Sequence, residues 1–136
     1  MPNVTRFDPH ERYICLPMII EGVDGTNYDM NALLDTGAPA TEFSDEALQY
    51  AGFLEGPSVD ISLKPGPQTQ KYGKIILPHL QVCSHPIAGL EVYVSHFEKS
   101  WGIDALIGLD FFRRFRVTID YQQGQLLTEP FSGNSH

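Results

Sequence analysis

The stretch from Asn31 to Thr41 of this sequence is NALLDTGAPAT. Three apolar residues, Ala32-Leu33-Leu34, lead directly into Asp35, and this pattern predicts a buried strand that ends on a carboxylate. An ionised carboxylate in such a place is costly unless it is hydrogen-bonded or paired. Asp35 is therefore expected to have either a structural role, in an Asx-type turn at the strand end, or a chemical role.

Length and composition indicate one compact domain with a modest core, because the chain has 136 residues, of which 42% are hydrophobic and 19% charged. We expect this domain to span residues 11–130. Residues 1–10 are polar and are predicted to form a flexible N-terminal arm. Residues 131–136 are predicted to form a polar C-terminal tail.

The charge balance argues against a nucleic-acid partner, since the formal net charge is −8 and the pI is about 4.9, whereas phosphate binding needs a basic face. No apolar run approaches the roughly 20 residues that span a bilayer, and the N-terminus lacks the order of a signal peptide. We therefore expect a cytoplasmic chain with no membrane partner. Cys15 and Cys83 are then expected to be reduced core thiols.

Short β-branched or alternating segments are frequent and are separated by turn residues, which indicates a closed or sandwich-like β domain. Pro17 makes the first of these an edge strand or a bulged one. Asp24-Gly25 predicts a type I′ hairpin turn after it. Strands are expected at about 13–20, 28–34, 58–64, 71–82, 81–84, 90–94, 105–107, 116–121 and 125–128.

Two short helices complete the prediction of an all-β fold class, mainly β with one or two short helices. The first is expected to begin after Ser44, whose hydroxyl can cap it, and to end near Gly52. Asp45 and Glu46 in its first turn suit the positive end of the helix dipole. The second is expected in DFFRR, at residues 110–114.

A second motif, ALIGLDFF at residues 105–112, places two apolar residues before Gly108 and a helix after it. A strand carrying Asp-Thr-Gly-Ala, followed by a hairpin and then by apolar-apolar-Gly before a helix, resembles the retropepsin-like aspartic proteases. The resemblance covers about residues 13–128. It implies a β-barrel lobe with a flap hairpin, and a homodimer, because this chain has a single Asp-Thr-Gly and room for one lobe.

The resemblance implies that Asp35 meets Asp35 of a second copy across the two-fold axis. Two carboxyls roughly 3 Å apart cannot both ionise, so they share a proton. One of them then acts as general base on a water molecule, and the other donates a hydrogen bond to the scissile carbonyl of a polypeptide substrate. The chain is therefore expected to be an aspartic endopeptidase that needs no cofactor.

The remaining site residues take their roles from the same resemblance. Gly37 allows main-chain atoms close to the carboxylates, since a Cβ there would crowd the site. Thr36 is expected to bond across the dimer axis, and Ala38 to line the substrate channel. The other expected members are the structural psi-loop residues Leu106, Ile107 and Gly108 beneath the active-site loop and the flap residues Pro65, Gly66 and Pro67 above it.

The sequence departs from the family pattern after the motif. Position 39 is Pro where relatives often carry Ser or Asp, and position 40 is Ala, so peptide selectivity does not carry over. The alternative is a catalytically weak or inactive dimer of the same fold that binds extended peptides by strand addition. A third possibility is a monomeric β-barrel binding module in which Asp35 is purely structural.

Other polar residues favour structural roles. His79, Cys83 and His85 share one face of an extended segment, but at roughly 3.3 Å per residue the two histidines would lie about 20 Å apart, too far to share a metal ion. We therefore expect no metal site, and a Cys83–His85 nucleophile would lack an orienting group. Asp104 is expected to be structural, and Asp110 a helix cap or an ion-pair partner of Arg113 or Arg114.

Overall fold

The computed structural model of the protein describes residues 2–54 and 70–131, with the backbone alone at 70–72. These residues form nine strands, two short α-helices and one 3-10 turn. This mainly β content with two short helices confirms the predicted fold class. The elements are β1 Asn3–Arg6, β2 Cys15–Glu21, β3 Asn27–Leu34, β4 Glu42–Ser44, α1 Asp45–Tyr50, β5 Gln70–Val82, β6 His85–His96, a 3-10 turn at Lys99–Trp101, β7 Ala105–Ile107, α2 Leu109–Phe112, β8 Phe115–Asp120 and β9 Gln125–Pro130.

Six of the strands close into a barrel in the order β2-β3-β7-β4-β6-β5, and β5 pairs back onto β2. Successive side chains of a strand point to opposite faces, so alternate residues fill the barrel. In β2, Leu16, Met18 and Ile20 are buried whereas Pro17 is exposed. The core draws apolar side chains from all six strands and both helices, among them Met30, Ala32, Phe43, Leu48, Leu77, Leu80, Val82, Leu90, Val92, Ala105, Ile107 and Phe111.

Strands β3 and β7 run parallel, with Leu33 opposite Leu106 and Leu34 opposite Ile107. Parallel neighbours point the same way, so the segments that follow them leave the sheet at the same edge. The Asp-Thr-Gly loop follows β3 and helix α2 follows β7. This pairing therefore places Asp35 and Gly108, which are far apart in the sequence, at the ends of adjacent strands.

The remaining three strands form a separate sheet in the order β1-β9-β8. The sequence predicts a flexible arm at residues 1–10, and this prediction is wrong for Asn3–Arg6, which pairs antiparallel with β9. Thr5 and Phe7 are buried there, and the Phe7 amide donates to the Gly124 carbonyl at 2.9 Å. Local polarity could not reveal this strand because its partner lies near the other end of the chain.

Helix α1 confirms the capping prediction. The Ser44 hydroxyl accepts a hydrogen bond from the Ala47 amide at 3.4 Å, and Asp45 and Glu46 occupy the first turn. Gly52, directly after the last turn, has a φ of +91° and so adopts the left-handed conformation that glycine favours. The helix therefore begins and ends where its sequence signals lie.

Two local predictions for the first hairpin need correction. Strand β2 is not an edge strand, because it pairs with β3 over Cys15–Glu21 and with β5 over Met18–Ile20. Pro17 is accommodated because the Cys83 carbonyl beside it accepts from the Asn3 side-chain amide, so no donor is needed from Pro17, whose own carbonyl accepts from the Cys83 amide at 3.3 Å. The turn at Asp24-Gly25 is not type I′, since only Gly25 has a positive φ.

The second long hairpin joins β5 and β6 through Cys83 and Ser84. The sequence predicts separate short strands at 81–84 and 90–94, but these belong to two strands of 13 and 12 residues. Cys83 and Ser84 have φ values of 50° and 67°. The extended segment assumed for His79, Cys83 and His85 is therefore a hairpin, in which Val82 pairs with His85.

The predicted strand at 58–64 and the residues 132–136 of the predicted tail lie outside the described residues. Within the described ranges, no helix is both long enough and apolar enough to cross a membrane.

Candidate active site

Asp35 is the first residue beyond strand β3, and its side chain is half-buried. Its backbone amide donates to the Ile107 carbonyl at 3.0 Å, and the Leu34 amide before it donates to the Ile14 carbonyl at 2.9 Å. Strand pairing on both sides therefore fixes the direction in which the chain leaves the barrel. The carboxylate lies at the rim, where the buried strand meets the surface.

The Asp35 carboxylate takes part in a tight turn. Its Oδ1 atom accepts a hydrogen bond from the Gly37 amide at 3.0 Å, and its carbonyl accepts one from the Ala38 amide at 3.2 Å. Within the described residues, Oδ2 has no hydrogen-bond partner. The Asx-type turn expected as the structural interpretation is therefore present, and it uses one of the two carboxylate oxygens.

Thr36 and Gly37 are exposed, and Ala38 is half-buried. A Cβ atom at position 37 would lie 3.3 Å from Asp35 Oδ1, which is closer than ordinary van der Waals contact. Glycine thus lets the amide reach the carboxylate without crowding it. The Asp-Thr-Gly segment presents one carboxylate and an open backbone on the surface.

Gly108 supports this loop from below by close backbone contact. A Cβ atom at position 108 would lie 2.7 Å from both the Ala38 and Ala40 carbonyl oxygens, so only glycine fits. The Leu109 amide donates to the Ala38 carbonyl at 2.8 Å. Ile107 is fully buried and Leu106 half-buried. The structure thus brings residues 35–38 and 106–108 together.

A second connection between the two motifs was not foreseen from the sequence. The Asp110 carboxylate accepts hydrogen bonds from the Thr41 amide at 2.9 Å and from the Thr41 hydroxyl at 2.7 Å. Asp110 was expected to cap its helix or pair with an arginine, but the cap position is Gly108, and Arg114 Nε donates to the Asp110 carbonyl instead. Its true partner lies 69 residues away and becomes visible only once β3 and β7 are known to be parallel.

Asp104 has the structural role predicted for it. Its Oδ2 atom accepts a hydrogen bond from the Asn31 amide at 2.8 Å, and its own amide donates to the Asn31 carbonyl at 2.8 Å. Its carbonyl accepts from the Ser44 amide at 2.8 Å. Asp104 therefore links β3, β4 and the start of β7, away from the exposed Asp-Thr-Gly segment.

The histidine and cysteine residues of the β5–β6 hairpin lie elsewhere. His85 stacks on Phe115 with ring centroids 4.2 Å apart and shares a hydrogen bond of 2.8 Å with Thr128 Oγ1. Burial lowers the pKa of His85 and raises the pKa of the Cys83 thiol. In the part of the chain that the structure describes, no group of three or more His, Cys, Asp or Glu residues could hold a metal ion.

The expected flap residues Pro65, Gly66 and Pro67 lie outside the described residues.

Comparison with solved structures identifies the architecture. A retropepsin-like aspartic protease from Rickettsia conorii aligns over 94% of this chain and 90% of its own, with a TM-score of 0.65 and 16% sequence identity. The retroviral protease-like domain of Ddi1 from Leishmania major aligns over 93% and 96%, with a TM-score of 0.56 and 19% identity. The chain has the retropepsin-like fold.

This fold confirms the resemblance drawn from LLDTGA and ALIGLDFF. No family profile matches the sequence, and no curated protein matches it either. At 16% and 19% identity the two likenesses establish architecture alone. The chemistry of the retropepsin-like lobe must therefore be argued from its own residues.

Proposed function

We propose that the protein is an aspartic endopeptidase that works as a homodimer. The observation that carries this proposal is the Asp35 carboxylate itself, which is held at the barrel rim with Oδ1 bound to the Gly37 amide. Its second oxygen has no partner among the described residues, and the segment around it is exposed. The two solved structures of the same fold are named as a protease and a protease-like domain.

The proposed chemistry needs two carboxyls, whereas this chain supplies one Asp-Thr-Gly. An isologous two-fold dimer brings the same residue from both copies to the axis. The two Asp35 side chains then share one proton, because two adjacent negative charges repel strongly. The ionised carboxylate removes a proton from a water molecule, whose oxygen attacks the scissile carbonyl carbon while the protonated carboxyl gives its proton to the carbonyl oxygen. The resulting gem-diol collapses as one of its hydroxyl protons returns to that carboxylate. The carbon–nitrogen bond then breaks, and the proton taken from the water passes to the leaving amine.

The neighbouring residues take supporting roles in this proposal. The Gly37 amide holds the plane of the Asp35 carboxylate, and the Thr36 hydroxyl is proposed to bond to the second copy. Ala38 lines the channel in which an extended polypeptide lies. The role of closing over that polypeptide, which the family resemblance implies for Pro65, Gly66 and Pro67, stays a proposal, since these residues lie outside the described ranges.

A binding module with weak or no hydrolysis is the second candidate. Two observations favour it: Asp35 already has a structural partner in Gly37, and Pro39 and Ala40 offer no polar side chain to a substrate. In this case the dimer would bind an extended peptide by strand addition. The cytoplasmic location predicted from the sequence stays a prediction under either candidate.

Hydrolysis of a peptide library from mildly acidic to neutral pH tests the proposal, with the wild type beside Asp35→Asn. The asparagine keeps the shape of the side chain but cannot share the proton, so we expect kcat to fall by about 10³-fold or more. Asp29→Asn is the matched control, because Asp29 is an exposed acid on β3, the strand that leads into Asp35. We expect it to leave kcat unchanged.

The mass of the protein in solution, measured in the same buffers, separates the candidates. A dimer that cleaves, and loses cleavage with Asp35→Asn, supports the protease. A dimer without cleavage at any pH in that range supports the binding module. Equal cleavage by the wild type and Asp35→Asn, or a monomer that cleaves, contradicts the proposal.

A further inference from the structure

Thr41 and Asp110 form a polar pair, and the Thr41 hydroxyl both donates and accepts a hydrogen bond. Thr41 is completely buried. Its amide and its hydroxyl donate to the two oxygens of the Asp110 carboxylate, at 2.9 Å and 2.7 Å. The same hydroxyl accepts a hydrogen bond from the Gly108 amide at 3.2 Å. Replacing this hydroxyl by a methyl group would leave both partners short of a bond.

The pair lies at the far end of the active-site loop. The near end is held where the Asp35 amide donates to the Ile107 carbonyl, and the middle is held where the Leu109 amide donates to the Ala38 carbonyl. Thr41 supplies the third attachment. All three partners belong to the short stretch 107–110, which therefore acts as a template for the backbone from 35 to 41.

The residues between the second and third attachments contribute little of their own. Pro39 has no amide hydrogen, and neither Pro39 nor Ala40 has a side chain that can hydrogen-bond. The backbone from Ala38 to Thr41 is held at Ala38 by the Leu109 amide and at Thr41 by Asp110 and by the Tyr93 amide, which donates to the Thr41 carbonyl at 3.0 Å. Without the Asp110 attachment, the backbone between Ala38 and Thr41 would lose one of its supports, and we expect Ala38, and with it the Gly37 amide that binds Asp35 Oδ1, to shift against the carboxylate.

We propose that Thr41 and Asp110 are positioning residues for Asp35, acting through the loop rather than on the substrate. This inference rests on the proposed protease function. Neither residue contacts Asp35 in the described structure, so neither is a catalytic residue. Their effect is geometric, and displacement of reacting groups by about 1 Å can lower a rate by about 10²-fold.

Thr41→Val tests the pair with a side chain of the same shape that lacks the hydroxyl. We expect kcat to fall about 10-fold to 100-fold while KM changes less than about threefold, because substrate binding does not involve Thr41. Thr41→Ser keeps the hydroxyl and is expected to retain at least about a third of the wild-type kcat. The rates are compared at a temperature at which circular dichroism shows each variant fully folded and the mass shows the same assembly.

Asp110→Asn is the second variant, for the case in which Thr41→Val does not fold. Asparagine keeps one acceptor for Thr41 but loses the other, so an intermediate fall in kcat is expected. If both Thr41→Val and Asp110→Asn change the thermal midpoint but leave kcat of the folded dimer at the wild-type value, the inference is wrong. Loss of kcat in Thr41→Ser equal to that in Thr41→Val also contradicts it.

An amide readout separates failure of this inference from failure of the proposed function. Hydrogen exchange and NMR shifts of the Thr36 and Gly37 amides report the loop directly, whether or not the protein cleaves peptides. We expect faster exchange and displaced resonances at both amides in Thr41→Val. If the wild type cleaves nothing, the protease proposal fails, and unchanged Thr36 and Gly37 amides in Thr41→Val would then overturn the positioning role as well.

Discussion

Two tight connections of this barrel are held in different ways. The loop after β3 is fixed by hydrogen bonds from another part of the chain, Thr41 to Asp110 and Ala38 to Leu109. The β5–β6 turn also has hydrogen bonds to other parts of the chain, from the Asn3 side-chain amide to the Cys83 carbonyl and from the Cys83 amide to the Pro17 carbonyl at 3.3 Å. In addition it places Cys83 and Ser84 in the left-handed region, which costs roughly 1 kcal/mol or more per residue outside glycine. The loop holds the Asp35 carboxylate without a positive φ at any of residues 35–41, whereas the turn depends on two left-handed residues.

The difference shows which connection tolerates change. In the loop, backbone atoms of residues 38–40 touch Gly108 without room for a methyl group. At the turn, Ser84 is exposed and the constraint is its own φ angle. Substitutions at the loop should therefore damage both stability and the site, and substitutions at the turn should alter stability alone.

Gly108→Ala is expected to have the largest effect. Its Cβ would meet two carbonyl oxygens at 2.7 Å, so the loop must move, and we expect a loss of about 3 kcal/mol in the free energy of unfolding. Peptide hydrolysis should fall with it. Urea unfolding and kcat measure the two effects.

Gly89→Ala is the matched control for Gly108→Ala. Gly89 has a φ of +67° and nothing within 4 Å of the position of a Cβ, so its substitution should cost only about 1 kcal/mol and leave kcat unchanged. If Gly108→Ala were as mild as Gly89→Ala, close packing under the loop would not be what holds it.

The next-largest effect is expected in the pH dependence of stability and concerns His85, which follows the β5–β6 turn and packs on Phe115. Burial lowers its pKa in the folded state, so the unfolded chain binds the proton more strongly. The contribution of neutral His85 to stability is therefore fully present above the unfolded pKa of about 6.5 and is lost as the pH falls from there through the lower folded pKa. Urea midpoints between pH 8 and pH 5 should show this decline.

His85→Gln should reduce that decline, because it removes the group whose protonation is linked to unfolding. His79→Gln, at an exposed position of the same hairpin, should leave the decline as it is in the wild type. If the pH dependence of stability is the same with and without His85, burial does not lower the pKa of His85 in the folded protein.

Ser84→Asn is expected to have the smallest effect. Asparagine adopts the left-handed conformation more readily than serine, so we expect a gain of about 0.5 kcal/mol in unfolding free energy, with kcat unchanged. A thermal midpoint raised by a few degrees would agree with this. A lowered midpoint would mean that contacts of Ser84, rather than its φ, determine the turn.

The features that the sequence predicted are those with local signals. The strand before Asp35, the capped helix at Ser44, and the apolar-apolar-Gly segment ending at Gly108 each depend on a few consecutive residues. The retropepsin-like fold could be predicted because two such segments occur in the order typical of that fold. These signals lie within a few consecutive residues, so they can be recognised without knowledge of the tertiary structure.

The features that were missed depend on pairing across the chain. Strand β1 looked like a polar arm because its partner, β9, is more than a hundred residues away. Asp110 looked like a helix cap because its partner Thr41 lies on another element. No local pattern distinguishes these cases from their simpler alternatives, since the deciding contact appears only after the barrel has closed.

The proposed chemistry requires Asp35 to act as one half of a pair of carboxyls. A crystal structure of the protein with a statine-type inhibitor, which places a hydroxyl where the attacking water would lie, shows whether this pair forms. We expect two copies related by a two-fold axis, with the Asp35 carboxyl oxygens of both within hydrogen-bonding distance of that hydroxyl. A monomer, or a dimer that holds the two Asp35 side chains far apart, would contradict it.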